Sequence, residues 1–287
     1  MHILMVFNNI IQRYSVAENP IIAVFMTALI FLILYFGFKM FEMIYVIRTK
    51  KPLYNHIYTK LKKLELNQQE ILRNRFTFYK KLNEKQRQYF EHRVASFIID
   101  KTFIGRENQV ITDEVKVLIS ATSIMLTFGF RDYYIGLVDK IFVYPDEFYS
   151  NINDAYHKGE FNPKLGALVL SWRHFEEGFD IGNDNLNLGI HEFAHAIHMN
   201  CMKERDVSST IFKDSFKELA NYLSENKNLR DKLIASEYFR DYAYSNHFEF
   251  LAVIIESFIE TPIEFKNQFP RIYDYTKQML NFNFAGY

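Results

Sequence analysis

The sequence predicts an α+β fold with more helix than strand, carried behind a single membrane-spanning helix. Three observations carry this expectation. Ile21 to Phe38 is an 18-residue run without a charge, IIAVFMTALIFLILYFGF. Two short β-like stretches, Lys140–Tyr144 (KIFVY) and Ala167–Trp172 (ALVLSW), are bounded by turn residues. Most of the remaining chain carries helical rather than alternating apolar patterning.

The apolar run would extend roughly 27 Å as a helix, near the hydrocarbon thickness of a bilayer. Phe41, Ile44, Tyr45 and Ile47 continue it as an interfacial extension, so the predicted segment covers residues 21–47. A cleaved signal peptide would have a shorter apolar stretch nearer Met1 and a small-residue cleavage site, whereas Lys39-Met40-Phe41-Glu42 follows here. Arg48, Lys50, Lys51, Lys60, Lys62 and Lys63 follow the span and only Arg13 precedes it. The positive-inside rule therefore predicts a single-pass protein of the cytoplasmic (inner) membrane, with its folded part in the cytoplasm. The single cysteine, Cys201, cannot form an internal disulfide and is consistent with a reducing compartment.

The chain has 287 residues, with 34 Lys+Arg balanced by 34 Asp+Glu, which excludes the basic excess of a dedicated nucleic-acid binder. Its organisation reads as a short segment 1–20, the apolar helix 21–47, a Lys/Leu-rich juxtamembrane helical linker 48–75 that would space the domain from the bilayer, and a globular domain 76–287. Within that domain Asn83 can cap a helix running to Asp100, with Phe90, Val94, Phe97 and Ile98 on one face. Asp113 can cap another that runs to about Leu126.

The sharpest chemical signal is His191-Glu192-Phe193-Ala194-His195. On a helix, residues i and i+4 share a face, so both imidazoles can reach one ion, while Glu192 stands about 100° away and can take a proton from a metal-activated water. Leu186, Ile190, Phe193, Ala194, Ile197 and Cys201 form the opposite, core-facing side, and Asn187 is a candidate N-cap. A hydrolytic zinc site needs a third protein ligand and an open position. The apolar helix Asn246–Glu260 offers Glu249, Glu256 and Glu260 on one stripe. Glu249 could coordinate, with Glu256 hydrogen-bonding a ligand histidine. Alternatively, Asn246 and Glu249 form a capping box. Glu260 reads as a solvated helix-end acid. His198 lies on the ligand face, but His191 and His198 are about 10.5 Å apart along the axis, an awkward span for one ion. His247 reads as a helix-start residue pointing elsewhere.

With these residues in place, the chain from about Phe76 to Pro262 resembles the zinc-dependent peptidases of the Mlc titration factor A (MtfA) family. The resemblance rests on ITDEVKVLIS (Ile111–Ser120), IFVYPDEF (Ile141–Phe148), VLSW (Val169–Trp172), HEFAH (His191–His195) and EFLAVIIESFIETP (Glu249–Pro262). It implies a zincin-like domain with one zinc ion held by His191, His195 and Glu249, and with Glu192 as general base. It also places Tyr242, seven residues before Glu249, where the family has an oxyanion-stabilising tyrosine. Two positions depart from the family pattern: Asn246-His247 stands where Asp-Pro is common, and His198 where an aspartate is frequent.

The function implied is peptide hydrolysis on a peptide or protein substrate, with the bilayer contacted through residues 21–47. The alternative implied by the same resemblance is a membrane-tethered regulator that sequesters a cytosolic partner such as a transcriptional repressor, because the family's named member titrates one. The strand at Ala167–Trp172, shortly before the metal helix, is a candidate edge for holding an extended peptide.

Overall fold

A computed structural model describes residues 20–150, 154–180, 182 and 184–287; the predicted segment 1–20 lies almost wholly outside them. The chain divides into two compact units, Met1–Thr49 and Lys50–Tyr287. In the first, α1 runs from Pro20 to Thr49 and is long and apolar enough to cross a membrane.

The second unit is mostly helical with a small sheet, an α+β architecture. The segment expected as one helix over 51–75 is helical only in α2 (Leu66–Arg75), and the residues before it are irregular. They carry no sustained helical period and are fastened to the domain by α4 (Glu84–Asp100), which follows α3 (Thr77–Lys81). The α4 guanidinium of Arg93, fully buried, donates to the carbonyl of Asn55 at 3.1 Å and to Tyr58 Oη at 2.5 Å. It also donates to the carbonyls of Thr127, Phe128 and Phe130 at 3.0, 3.2 and 2.8 Å.

Helix α4 begins where Asn83 accepts from the Gln86 amide at 2.9 Å, and it buries Phe90, Val94 and Phe97. Helix α5 spans Asp113–Leu126; its cap is Thr112, one residue earlier than the expected Asp113, which instead supplies an acid to the first turn.

The sheet has the order β1-β2-β6-β5. Strands β1 (Thr102–Gly105), β2 (Lys140–Tyr144) and β6 (Ala167–Ser171) are mutually parallel, with Phe103 opposite Ile141 and Ile141 opposite Leu168. Strand β5 (Gly159–Asn162) runs antiparallel along β6, with Phe161 opposite Leu168. A separate hairpin pairs β3 (Phe148–Ser150) with β4 (Ala155–His157). Strand β6 therefore has neighbours on both sides and cannot accept a further strand. The expected peptide-holding edge at Ala167–Trp172 is corrected: Trp172 already begins α6 (Trp172–Asp180), and the sheet edge on this side belongs to β5.

Helix α7 (Leu188–Lys203) is the centre of the unit, packed on β5 and β6 and against α5, α8 (Val207–Glu225) and α10 (His247–Glu260). A short α9 (Lys227–Ala235) and a 3-10 turn (Asp241–Tyr244) lead into α10. Helices α11 (Pro262–Gln268) and α12 (Pro270–Met279) close the unit, each with a proline near its start, where the missing N–H leaves no helical bond unmade.

Candidate active site

Helix α7 starts because Asn187 accepts from the Ile190 amide at 3.0 Å while its own amide donates to the Gly178 carbonyl at 2.7 Å. The second of these hydrogen bonds ties the metal-motif helix to α6. Ile190, Phe193, Ala194, Ile197 and Cys201 are buried as expected, and burial pushes the Cys201 thiol up to about 12, leaving it an unreactive core residue. Leu186 departs from that face: it precedes the cap and is exposed.

Helix α10 is capped by Asn246, whose Oδ1 accepts from the amides of Phe248 and Glu249 at 2.9 and 3.0 Å. The Glu249 side chain turns towards α7 instead, so its Oε2 lies 3.0 Å from His191 Nε2 and 3.4 Å from His195 Nε2. The two Nε2 atoms are 3.1 Å apart. Despite these distances, the buried Glu249 Oε2 makes no well-aligned hydrogen bond to either imidazole. Three ligand atoms gathered this closely need a positive charge among them, a shared proton or a cation. A tetrahedral ion with bonds of about 2.0–2.1 Å places its ligand atoms about 3.3 Å apart, so the donor set has the size and chemistry for zinc. His191, His195 and Glu249 are the one such group among the described residues.

The orientation of His191 is set from behind. Its Nδ1 lies 2.6 Å from Glu256 Oε1, and Glu256 is completely buried. Arg240 Nη2 lies 3.1 and 2.9 Å from the two Glu256 oxygens, and Nη1 donates to the Asn185 carbonyl at 2.6 Å. With Nδ1–H directed at Glu256, Nε2 is the nitrogen that faces Glu249 and His195, and its lone pair becomes available to an ion once its own proton leaves. Burial pulls the His191 imidazole down, but the Glu249 and Glu256 carboxylates outweigh it and hold it at about 9. Burial would raise Glu249 in turn, yet the two histidines bring it well below the usual carboxylate range.

Glu192 lines a cleft of about 550 Å³ together with His191, Tyr242, Arg240 and residues of β4 and β5. Burial raises its carboxyl above the ordinary value, against the opposing pull of His191 and His195. Strand β5 approaches very closely here: a Cβ at Gly159 would lie 2.7 Å from Glu192 Cγ and 2.8 Å from Oε1. Only glycine lets the strand run beside this carboxylate. Tyr242 sits on the 3-10 turn, half-exposed, its ring 6.1 Å from that of His191. Burial and the carboxylates of Glu249 and Glu192 push its phenol up to about 12, so it remains a proton donor at neutral pH.

A family model described as glucose-regulated metallo-peptidase M90 matches residues 50–280. The chain belongs to this family. The resemblance to MtfA-type metallopeptidases drawn from the sequence blocks therefore holds. An uncharacterized protein from Synechocystis sp. is 28% identical over 227 residues, covering 71% of this chain and 80% of that relative.

Within this M90 domain, the structure places the other candidate acids and histidines away from the triad. His198 stands among Phe212, Phe216 and Phe248, with ring centroids 4.8–6.0 Å away, and burial lowers it to about 4. It is a neutral core imidazole. His247 lines a separate apolar cavity between α8, α9 and α10. Glu260 corrects the expectation of a solvated helix end: both carboxyl oxygens are buried, and burial raises the group to about 7 despite the opposing pull of the Asn187 side chain and the Asn185 backbone. Two contributors escaped the sequence reading. Arg240 has no motif around it, since its partner is 16 residues away on another element; Gly159 could have been found only as a glycine inside a β-like stretch.

Proposed function

We propose that the chain is a zinc-dependent peptidase anchored in a membrane by α1, its domain on the cytoplasmic side. The observation that carries the reading is the convergence of His191, His195 and Glu249, with Glu192 in the adjoining cleft. Membership of a metallopeptidase family supports it. The cations following the apolar helix support the orientation.

Bound at this triad, zinc supplies Lewis-acid polarisation of the scissile carbonyl and acidifies a water molecule. The chain's own groups do the rest. Glu192, its affinity for protons raised by burial, accepts the water proton and delivers it to the leaving amine. The Tyr242 hydroxyl, protonated at working pH, donates to the developing oxyanion. Glu256 and Arg240 keep the His191 ring in the tautomer that presents Nε2. Strand β5 offers the extended substrate a pairing edge: it pairs with β6 on one side, and among the described residues no strand pairs with its other side.

The test is Glu192→Gln in the full chain, with zinc content and turnover of a peptide library measured side by side. Zinc should remain stoichiometric while turnover falls at least about a thousandfold. Unchanged turnover in the Gln variant, or carefully purified wild type that holds no zinc, would refute the proposal. A repressor-binding phenotype that persists in the inactive variant would favour the sequestration role instead.

A further inference from the structure

By composition, residues 51–66 are a linker, but they are fixed parts of the second unit. Arg93 holds Asn55 and Tyr58, the Lys62 amide donates to His92 Nδ1 at 2.8 Å, and Leu64 is buried. The residues left outside form an unusual set. Lys51, Lys60, Lys62 and Lys63 are exposed, against Glu65 as the only acid in the segment. Leu53, Tyr54, Ile57 and Leu66 are exposed too, Ile57 at 69% and Leu66 at 79%. Cations interspersed with outward-facing large apolar side chains match a bilayer interface, where apolar groups enter the headgroup boundary and ammonium groups meet lipid phosphates.

We propose that the 51–66 segment docks the folded unit onto the anionic headgroups of the bilayer that α1 crosses. The inference rests on the membrane reading of α1. Its second support is chain continuity. Lys51 follows Thr49, the last residue of α1, by two positions, a reach under about 10 Å. Apolar residues continue in α1 to Ile47, which keeps the end of the helix at headgroup depth. The start of the segment is therefore held within about one Debye length, roughly 8–10 Å, of the lipid charges. On this proposal the basic segment acts as a contact surface rather than a tether.

The experiment uses the full chain in nanodiscs of phosphatidylcholine alone or with added phosphatidylserine, and reads amide hydrogen exchange over 51–66. Most of these amides are outside regular structure, so docking is visible as slowed exchange. Exchange should slow about tenfold or more in the anionic discs and recover at high salt. The triple variant Lys60→Ala, Lys62→Ala, Lys63→Ala should lose the slowing, whereas Arg at the same three positions should keep it. Ile57→Asp should also weaken it. Exchange equal in the two lipids, or slowing that survives the triple Ala change, overturns the docking while leaving the anchor intact. A chain that does not incorporate into discs at all overturns both.

Discussion

Arg93 and the His191–His195–Glu249 triad are both polar groups drawn into the second unit, and they are satisfied in opposite ways. Arg93 is fully buried, yet its guanidinium is spent on four backbone carbonyls and a tyrosine hydroxyl, each 2.5–3.2 Å away. The triad brings three ligand atoms within 3.4 Å of one another and leaves Glu249 Oε2 without a well-aligned hydrogen bond. Buried polarity in a folded chain is ordinarily paired. The matched cluster therefore reads as architecture, and the mismatched one as a place built for something the chain itself does not supply.

Removing Arg93 should have the largest effect. Arg93→Met keeps much of the side-chain volume but strands four carbonyls and releases the 55–58 segment, so stability should fall by on the order of 5 kcal/mol in urea unfolding. A loss under about 1 kcal/mol would mean the carbonyls find water readily, and the contrast would collapse. The triad should respond in the other direction, to an added partner. Zinc in about thousandfold excess over its dissociation constant should stabilise the chain by roughly 4 kcal/mol, seen as a rise in Tm over the chelator-treated protein. Because His191 is held at about 9 by neighbouring carboxylates, zinc must displace its proton below that pH. Zinc affinity should therefore strengthen as pH rises from 6 to 8, by up to about tenfold per unit. Affinity that is flat across this range would show that His191 is already neutral.

The two clusters also differed in how far they could be read in advance. The i, i+4 histidines, the Asn187 cap and the acidic stripe of α10 are local patterns, so helix periodicity alone set His191 and His195 on one face and Glu249 on an adjacent candidate helix. Bringing Glu249 up to them took tertiary packing of α10 against α7, as did the pairing of Arg240 with Glu256. Arg93 reads in the sequence as a polar interruption between Phe90 and Val94, because all its partners lie 34 to 38 residues away. Strands β1 and β5 are four residues each, and β5 contains Gly, Glu and Asn, which have low β preference. Their pairing with neighbours makes them strands. The capping of α5 by Thr112 rather than Asp113 is a smaller miss, since both residue types can accept the orphan amide.

Tyr242→Phe separates positioning from chemistry inside the mismatched region. The ring, half-exposed beside His191, would still pack, and only the hydroxyl that reaches Glu249 is lost. Turnover should drop about a hundredfold with little change in KM, since only the hydrogen bond to the developing charge is lost. Zinc content should stay the same. A variant that loses zinc along with turnover would show that the phenol holds Glu249 in place, and it would assign Tyr242 a positioning role.

Glu260 provides the smallest and sharpest test, because it is a mismatched buried group outside the triad. Its buried oxygens lack a close, well-aligned hydrogen bond, and burial raises its folded-state value to about 7 from an ordinary 4.5, against the weaker opposing pull of the Asn187 side chain and the Asn185 backbone. A carboxyl whose folded value is raised binds its proton more tightly when folded. It therefore has no effect on stability below about pH 4.5, destabilises progressively as pH rises to 7, and leaves a constant deficit above that. Glu260→Gln removes the charge and should be nearly neutral at pH 5, but should stabilise the zinc-loaded chain at pH 8 by about 1–2 kcal/mol after allowance for solvent screening. Equal effects of the substitution at the two pH values would mean that Glu260 is ionised and solvated throughout. In that case an unpaired buried oxygen would not by itself mark strain in this fold, and the triad would have to be argued from the geometry of its three donors alone.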